Sequence, residues 1–293
     1  MIQTFFIILI MIIGLSISIY SFFYERKNLI LITLLIIFSY TSLLFWHISI
    51  LILILFVFYK KFDFGQFISL NMFTAVMLAW FFFNLFAINT PFYFYIALLS
   101  LIILCLLAIF GIFEKKLKKY LLLSNIIQIL FVVVDLAVTK LLGEFGALSI
   151  IQIFNYTFAG LTFFLTVGIF ARNKIYMYEL EGSYFASRWN DIFATIACLS
   201  LAGLPAFNIF VSEWLLFTKS FVVTPIITVL GIFAALLLFI MYYKVVYFLL
   251  TGEGKYKGIP KPVTLVNGIL ALICILLGIL PQLQIEILSG VVI

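Results

Sequence analysis

The chain has 293 residues, 67% of them hydrophobic and 10% charged, with a mean hydropathy of +1.35, which excludes a water-soluble globular domain. Its formal net charge of +6 sits in short loops between apolar runs rather than on a basic stripe of a soluble domain, which excludes nucleic acid as a partner. The runs are apolar on every face instead of alternating with polar residues, so the spanning elements are predicted to be α-helices and not strands of a closed barrel.

A hydrocarbon core of about 30 Å takes roughly 20 helical residues to cross. Runs at 2–23, 28–59, 66–88, 91–113, 120–142, 147–171, 190–218, 222–250 and 263–281 are mostly that long or longer, which predicts an all-α polytopic membrane protein of about 9–11 transmembrane helices. The first run has no basic n-region and no small-residue cleavage site, and is read as a retained helix rather than a signal peptide. The run 28–59 holds 32 uncharged residues; it is either one long tilted helix or two short ones hinged around Trp46-His47. His47, the only histidine, has a side chain suited to a proton relay, but beside Trp46 it reads as an interface residue.

In 66–142 the polar side chains Asn71, Asn84 and Asp135 would cost several kcal/mol if left in hydrocarbon, so other chains or lipid should cover these faces. Within 120–142, Asn125, Gln128 and Asp135 are spaced by about one and two helical turns and share one face, which should point inward as interhelical glue or as a proton or water path. Lys140 and Lys244 sit near helix ends, where their side chains can snorkel to the interface.

The run 190–218 would exceed the bilayer as one straight helix. Gly203 and Pro205 lie in its middle, and proline removes a backbone hydrogen bond and clashes with the preceding turn, so a break is predicted near Gly203–Pro205. Glu213 stands eight residues beyond Pro205. Broken helices at membrane depth free backbone groups beside a protein-lined or watered cavity, and a carboxylate there can exchange protons.

Basic residues cluster at Arg26-Lys27, Lys60-Lys61, Lys115 to Lys119, Arg172 to Arg188 and Lys255 to Lys261. If 28–59 crosses twice, these loops share one face, a topology signal of the positive-inside kind. Cys105, Cys198 and Cys274 lie in apolar runs without pair spacing, so they are read as buried small hydrophobes with neither a disulfide nor a metal site. No phosphate loop, paired-cysteine motif or nucleophile elbow is present, so no catalytic chemistry on a soluble substrate is expected. Phe 36 and Tyr 15 beside only 6 Pro is the usage an A+T-rich genome imposes on its codons, and is consistent with an organellar gene.

Two segments carry a family resemblance. Leu117-Lys118-Lys119-Tyr120 through Ser124-Asn125-Ile126-Ile127-Gln128 resembles the "LKRLLAYSSIxQ" helix start of the antiporter-like subunits of respiratory complex I and of related multi-subunit Na+/H+ antiporters. Leu199-Ser200-Leu201-Ala202-Gly203-Leu204-Pro205 through Phe210-Val211-Ser212-Glu213-Trp214 resembles that family's "SLAGLPPxxGFxxKW", with Ala206 at the position of the second proline. Arg188-Trp189-Asn190, Met241 to Tyr247 and Gly278 to Gln282 are similar to its other late segments, and Lys118 and Glu213 stand 95 residues apart, much as in the family. The likeness covers roughly residues 66–285 and is most like chain 2 of NADH-ubiquinone oxidoreductase, shortened or as a carboxy-terminal part; Glu213 stands where chain 2 usually has Lys and chain 4 usually has Glu. No counterpart of the family's "PFHFWLPD" segment is visible, and 66–113 contains no lysine.

The resemblance implies an antiporter-like fold at 66–293 that lacks amino-terminal helices, preceded by transmembrane helices at 1–65. It implies a membrane-arm subunit of a proton-translocating NADH:ubiquinone reductase in the mitochondrial inner membrane, with Glu213, Asp135, Gln128, Asn125, Lys118, Lys140 and Lys244 as proton-path candidates. The alternatives are a chain 4 homologue or a subunit of a related cation/proton antiporter complex, and a degenerate subunit without proton traffic. NADH, flavin, iron–sulfur clusters and quinone are expected on or near other subunits, with no cofactor on this chain. The implied partners are other membrane-arm subunits, a separate chain supplying the missing helices, and bound phospholipids such as cardiolipin.

Overall fold

The computed structural model describes residues 92–143, 147–171, 176–181, 188–251 and 259–292, with residues 8, 12, 13, 15 and 16 also helical. The predicted crossings at 28–59 and 66–88, most of 2–23, and with them Trp46, His47, Asn71 and Asn84, lie outside the described residues. Three helices open the described chain, α1 (Tyr93–Phe113), α2 (Leu117–Leu141) and α3 (Ala147–Phe170). A short 3-10 turn at Met177–Leu180 leads to α4 (Arg188–Leu201) and α5 (Asn208–Val223). Then come α6 (Pro225–Leu250), α7 (Lys261–Ile279) and α8 (Pro281–Val292). Among the described residues no strand forms, only an isolated bridge between Lys116 and Tyr176.

Local chemistry sets the helix ends. Pro225 and Pro281 open α6 and α8, and Pro262 lies in the first turn of α7, positions where a missing N–H costs nothing. Gly143, at φ +69, closes α2 with its N–H on the Lys140 carbonyl, a left-handed end that glycine adopts without a steric penalty. At the corner between α1 and α2, Glu114 Oε1 accepts the backbone N–H groups of Lys115 and Lys116 at 2.9 and 2.8 Å, so the chain turns without stranding those donors.

Among the described residues, five helices are long and apolar enough to cross a membrane: α1, α2, α3, α6 and α7. At 14 and 16 residues, α4 and α5 are each too short to cross alone at about 1.5 Å per residue. Among the described helices α3 is the central one, packed against α2, α4, α5, α7 and α8, whereas α1 packs on α2 and α6. The inner face of α1 carries Ala97, Leu101, Leu104, Cys105 and Ala108, and its other face leaves Leu99, Leu106 and Phe110 exposed. Cys198 and Cys274 are buried in the same core.

The described parts of three basic loops gather at one end of the bundle, as the charge pattern predicts. The Met177 N–H donates to the Lys115 carbonyl at 2.8 Å beside the Lys116–Tyr176 bridge. Lys244 Nζ donates to the Ile112 and Glu114 carbonyls at 2.9 and 2.6 Å. Arg188 and Lys261 border a single groove between α4 and α7.

Candidate functional site

The predicted break lies where the glycine and proline place it, and its geometry follows from the two residue types. α4 ends with the Gly203 N–H on the Ser200 carbonyl and the Leu204 N–H on the Leu199 carbonyl, at 3.0 and 3.2 Å, with Gly203 left-handed at φ +67. This is the paired bonding of a Schellman helix end. Pro205 cannot continue a helix, and Leu204 to Phe207 form a turn closed by the Phe207 N–H on the Leu204 carbonyl at 3.2 Å. Its third residue, Ala206, has φ +76, a value that favours glycine or asparagine and that proline cannot adopt. The departure from the family's double proline therefore falls on the one described non-glycine residue with positive φ.

Two close backbone approaches fix the break. A Cβ at Gly278 of α7 would collide with the backbone of Ala206 and Phe207, and a Cβ at Gly203 would collide with the Glu213 carboxylate. The second fact locates Glu213: its side chain turns back from α5 and lies against the bend. Glu213 is 3% exposed, and its Oε1 has no hydrogen-bond partner.

Polar side chains from the surrounding helices converge on the same level. Gln128 Nε2 points at the Leu201 carbonyl at the end of α4, at 3.5 Å, and Gln152 Nε2 of α3 points at Gln128 Oε1 at 3.4 Å; both are long for hydrogen bonds. Tyr242 of α6 shares a 2.7 Å hydrogen bond with Ser124 and lies against Gln128. Asp135 and Tyr242 are both within electrostatic reach of Glu213, and Asp135 Oδ1 is another buried oxygen without a partner.

On the other side of the break, Ser200 donates to Asn208 Oδ1, and Asn208 Nδ2 donates to the Asn155 carbonyl at 2.8 Å. Asn155 Nδ2 donates to Gln284 Oε1 at 3.0 Å, and Gln284 Nε2 to the Leu277 carbonyl at 2.6 Å. This network joins the α4–α5 break to the α7–α8 junction through α3. Counted from the basic end, Gln128, Leu201, Asn155 and Leu277 lie eleven to sixteen residues into their helices, a depth of roughly 16–24 Å at 1.5 Å per residue. The polar level is thus deep in the hydrocarbon zone, where side chains of this kind are costly unless they serve packing or transport.

The sequence-derived candidates divide into two sets. Asn125, Gln128, Asp135 and Glu213 are all buried; Gln128 and Glu213 lie at the break, with Asp135 within electrostatic reach of Glu213. Asn125 accepts the Tyr156 hydroxyl, a contact within the bundle. Lys118 is exposed in the first turn of α2, and Lys140 is half-buried in its last, so neither joins the cluster. Lys244 holds the terminal carbonyls of α1 and sits 5.9 Å over the Tyr120 ring, which makes it a clamp of the α1–α2 corner. Sequence reasoning missed Gln152, Asn155, Asn208, Ser200, Tyr242 and Gln284. The spacing of Ser149, Gln152 and Tyr156 was the available signal, a polar line at helical period inside a run otherwise read as uniformly apolar.

Among the described residues, no group of three or more His, Cys, Asp or Glu could hold a metal ion. The side chains at the break are carboxylates, amides and hydroxyls.

Residues 65–239 match the family model described as NADH:quinone oxidoreductase/Mrp antiporter, TM. No curated protein matches the chain by sequence. Among solved structures, a chain of the Mrp complex from Dietzia sp. DQ12-45-1b is similar at a TM-score of 0.67 and 14% identity, covering 97% of this chain and 65% of that one. A chain of the membrane-bound sulfane sulfur reductase, an archaeal respiratory membrane complex, gives 0.63 and 23% identity, covering 75% and 40%. A chain of respiratory complex I from Thermus thermophilus gives 0.62 and 17% identity, covering 75% and 51%. The chain thus spans less than two thirds of the length of each of these solved chains, and at such identities the likeness is one of fold.

Proposed function

Because the chain belongs to the NADH:quinone oxidoreductase/Mrp antiporter transmembrane family, we propose that it is an antiporter-like subunit in the membrane arm of a proton-pumping NADH:ubiquinone oxidoreductase, most like chain 2, in the mitochondrial inner membrane. One observation carries the reading: a carboxylate, Glu213, is 3% exposed, unpartnered at Oε1 and pressed against a helix break deep in the bundle. With no partner on Oε1 to hold it as a structural group, a carboxylate at this depth is better accounted for as a proton carrier.

In this reading Glu213 takes up and gives back a proton. The end of α4 and the start of α5 present partial charges of opposite sign beside it, so a small movement of the break changes the field that the carboxylate feels. Asp135 is the second carboxylate of the relay, and Gln128, Gln152 and Tyr242 orient water between them. Electron transfer from NADH belongs to other subunits, with this chain supplying the proton step. Other membrane subunits pack against this chain, a view supported by the multi-subunit assemblies of the solved neighbours.

Glu213→Gln in the assembled complex tests the proposal. Protons translocated per NADH oxidised should fall while assembly is unchanged; a normal ratio in proteoliposomes would make Glu213 structural and the chain a scaffold. A second reading, a subunit of an Mrp-type cation/proton antiporter, is favoured by the 97% of this chain that the Mrp structure covers against 75% for complex I. The chains that co-purify with it separate the two readings.

A further inference from the structure

Besides the α4–α5 break, the described chain has an interruption between α7 and α8, and the two touch. Leu280 sits there at φ −114 and ψ 69, outside the helical region, because Pro281 disfavours a helical residue before it and brings no N–H of its own. We propose that α8 is a lever driven by the α4–α5 break, carrying the position of that break to the membrane face opposite the basic loops.

The drive is direct at the backbone. Position 278 is glycine, and a Cβ there would overlap the Ala206 carbonyl and the Phe207 Cα, so the last turn of α7 rests on the turn of the break with no side chain between them to absorb a shift. A second link runs through α3. Asn208, the first residue of α5, donates to the Asn155 carbonyl at 2.8 Å, and Asn155 Nδ2 donates to Gln284 Oε1 at 3.0 Å. Gln284 Nε2 in turn donates to the Leu277 carbonyl at 2.6 Å, one of the carbonyls that the end of α7 leaves without a helical partner.

Little else among the described residues holds α8. In 281–286 only Gln284 is buried, while Leu283 and Ile285 are 40% and 49% exposed. With no described apolar side chain of α8 buried, the Gln284 amide and the Gly278 contact decide where the helix lies. From Lys261 at the basic end α7 is roughly 28 Å long, so α8 begins close to the other face of a core of about 30 Å. The link is mechanical and does not require a proton on Glu213. Because the Glu213 carboxylate lies against Gly203 in the same break, a change in its charge is one way to drive the lever; strain at Ala206 is another.

Amide hydrogen exchange of the purified assembly, read by mass spectrometry on peptides from α8 and, as a control, from α1, tests the lever. Gln284→Leu should speed exchange in α8 about 5-fold, the equivalent of one interhelical hydrogen bond, and leave α1 unchanged. Ala206→Val, which puts a β-branched residue at φ +76 and so displaces the break, should speed α8 by a similar factor with α1 again unchanged; Ala206→Gly, free of that strain, should not. Should Ala206→Val fail to assemble, Ala206→Leu makes the same measurement without the β-branch. In the double variant the effects of Gln284→Leu and Ala206→Val should not multiply, because an α8 released from Leu277 no longer follows the break. Wild-type exchange of α8 in the strained Ala206 variant, effects that multiply in the double variant, or an equal rise in α1 would each overturn the proposal. Normal proton translocation by Glu213→Gln would instead sink the proton reading and leave these rates as they are.

Discussion

α1 and α3 are both membrane-length helices, and they invert the rule that holds in water. The spanning window of α1 has a mean hydropathy of 3.1 and is 39% buried, while that of α3 has 1.6 and is 94% buried. Lipid tails are as apolar as leucine, so a leucine on α1 gains little by leaving them, and the most apolar of the described helices keeps much of its surface exposed. Amides and hydroxyls lose hydrogen bonds in hydrocarbon, so the helix that carries Ser149, Gln152, Asn155, Thr157, Thr162 and Thr166 is drawn to the centre, where all of them are buried. Three of these threonines close onto carbonyls of their own helix. Gln152, Asn155 and Tyr156 bridge to neighbouring helices.

This contrast can be broken at graded points. The largest effect is expected at Gly278→Val, which drives a side chain into the backbone of Ala206 and Phe207; overpacking against backbone that cannot yield should cost about 3 kcal/mol, read as a drop in the melting temperature of the purified assembly. Ala206→Pro should follow at about 2 kcal/mol, because proline is held near φ −65° and Ala206 sits at +76, whereas Ala206→Gly should be neutral or stabilising in the same melt. Asn155→Leu removes the bond to Gln284 but leaves the backbone carbonyl that Asn208 uses, and should cost about 1 kcal/mol, the scale of an interhelical hydrogen bond in a bilayer. Leu106→Ala on the exposed face of α1 should cost less than about 0.5 kcal/mol, since lipid replaces the lost methyls. A larger loss at Leu106 than at Asn155 would mean that the outer face is a protein interface and would undo the comparison.

The break was legible because it was written in backbone chemistry: a glycine, a proline and a run too long for the bilayer leave few alternatives. The inward face of α2 was legible for a related reason, since Asn125, Gln128 and Asp135 keep helical phase in an apolar background. α3 was not, because hydropathy averaging hides amides and hydroxyls among Ile, Phe and Leu, and nothing in one chain says which helix its neighbours will surround. Lys118 and Lys244 show the opposite error. A charge near a helix end draws notice, but Lys118 faces outward and Lys244 is engaged by the carbonyls of α1, so charge alone did not identify the site. Glu213 belongs with the break only through the fold: five residues into α5, its side chain reaches back to Gly203.

The central claim is that Glu213 exchanges a proton during turnover, and infrared difference spectroscopy of the working complex tests it most directly. The account predicts a protonated-carboxyl C=O band that changes between resting and turning-over complex and is absent in Glu213→Gln, with the remaining carboxyl bands in place. Identical difference spectra in the wild type and the Glu213→Gln variant would contradict it.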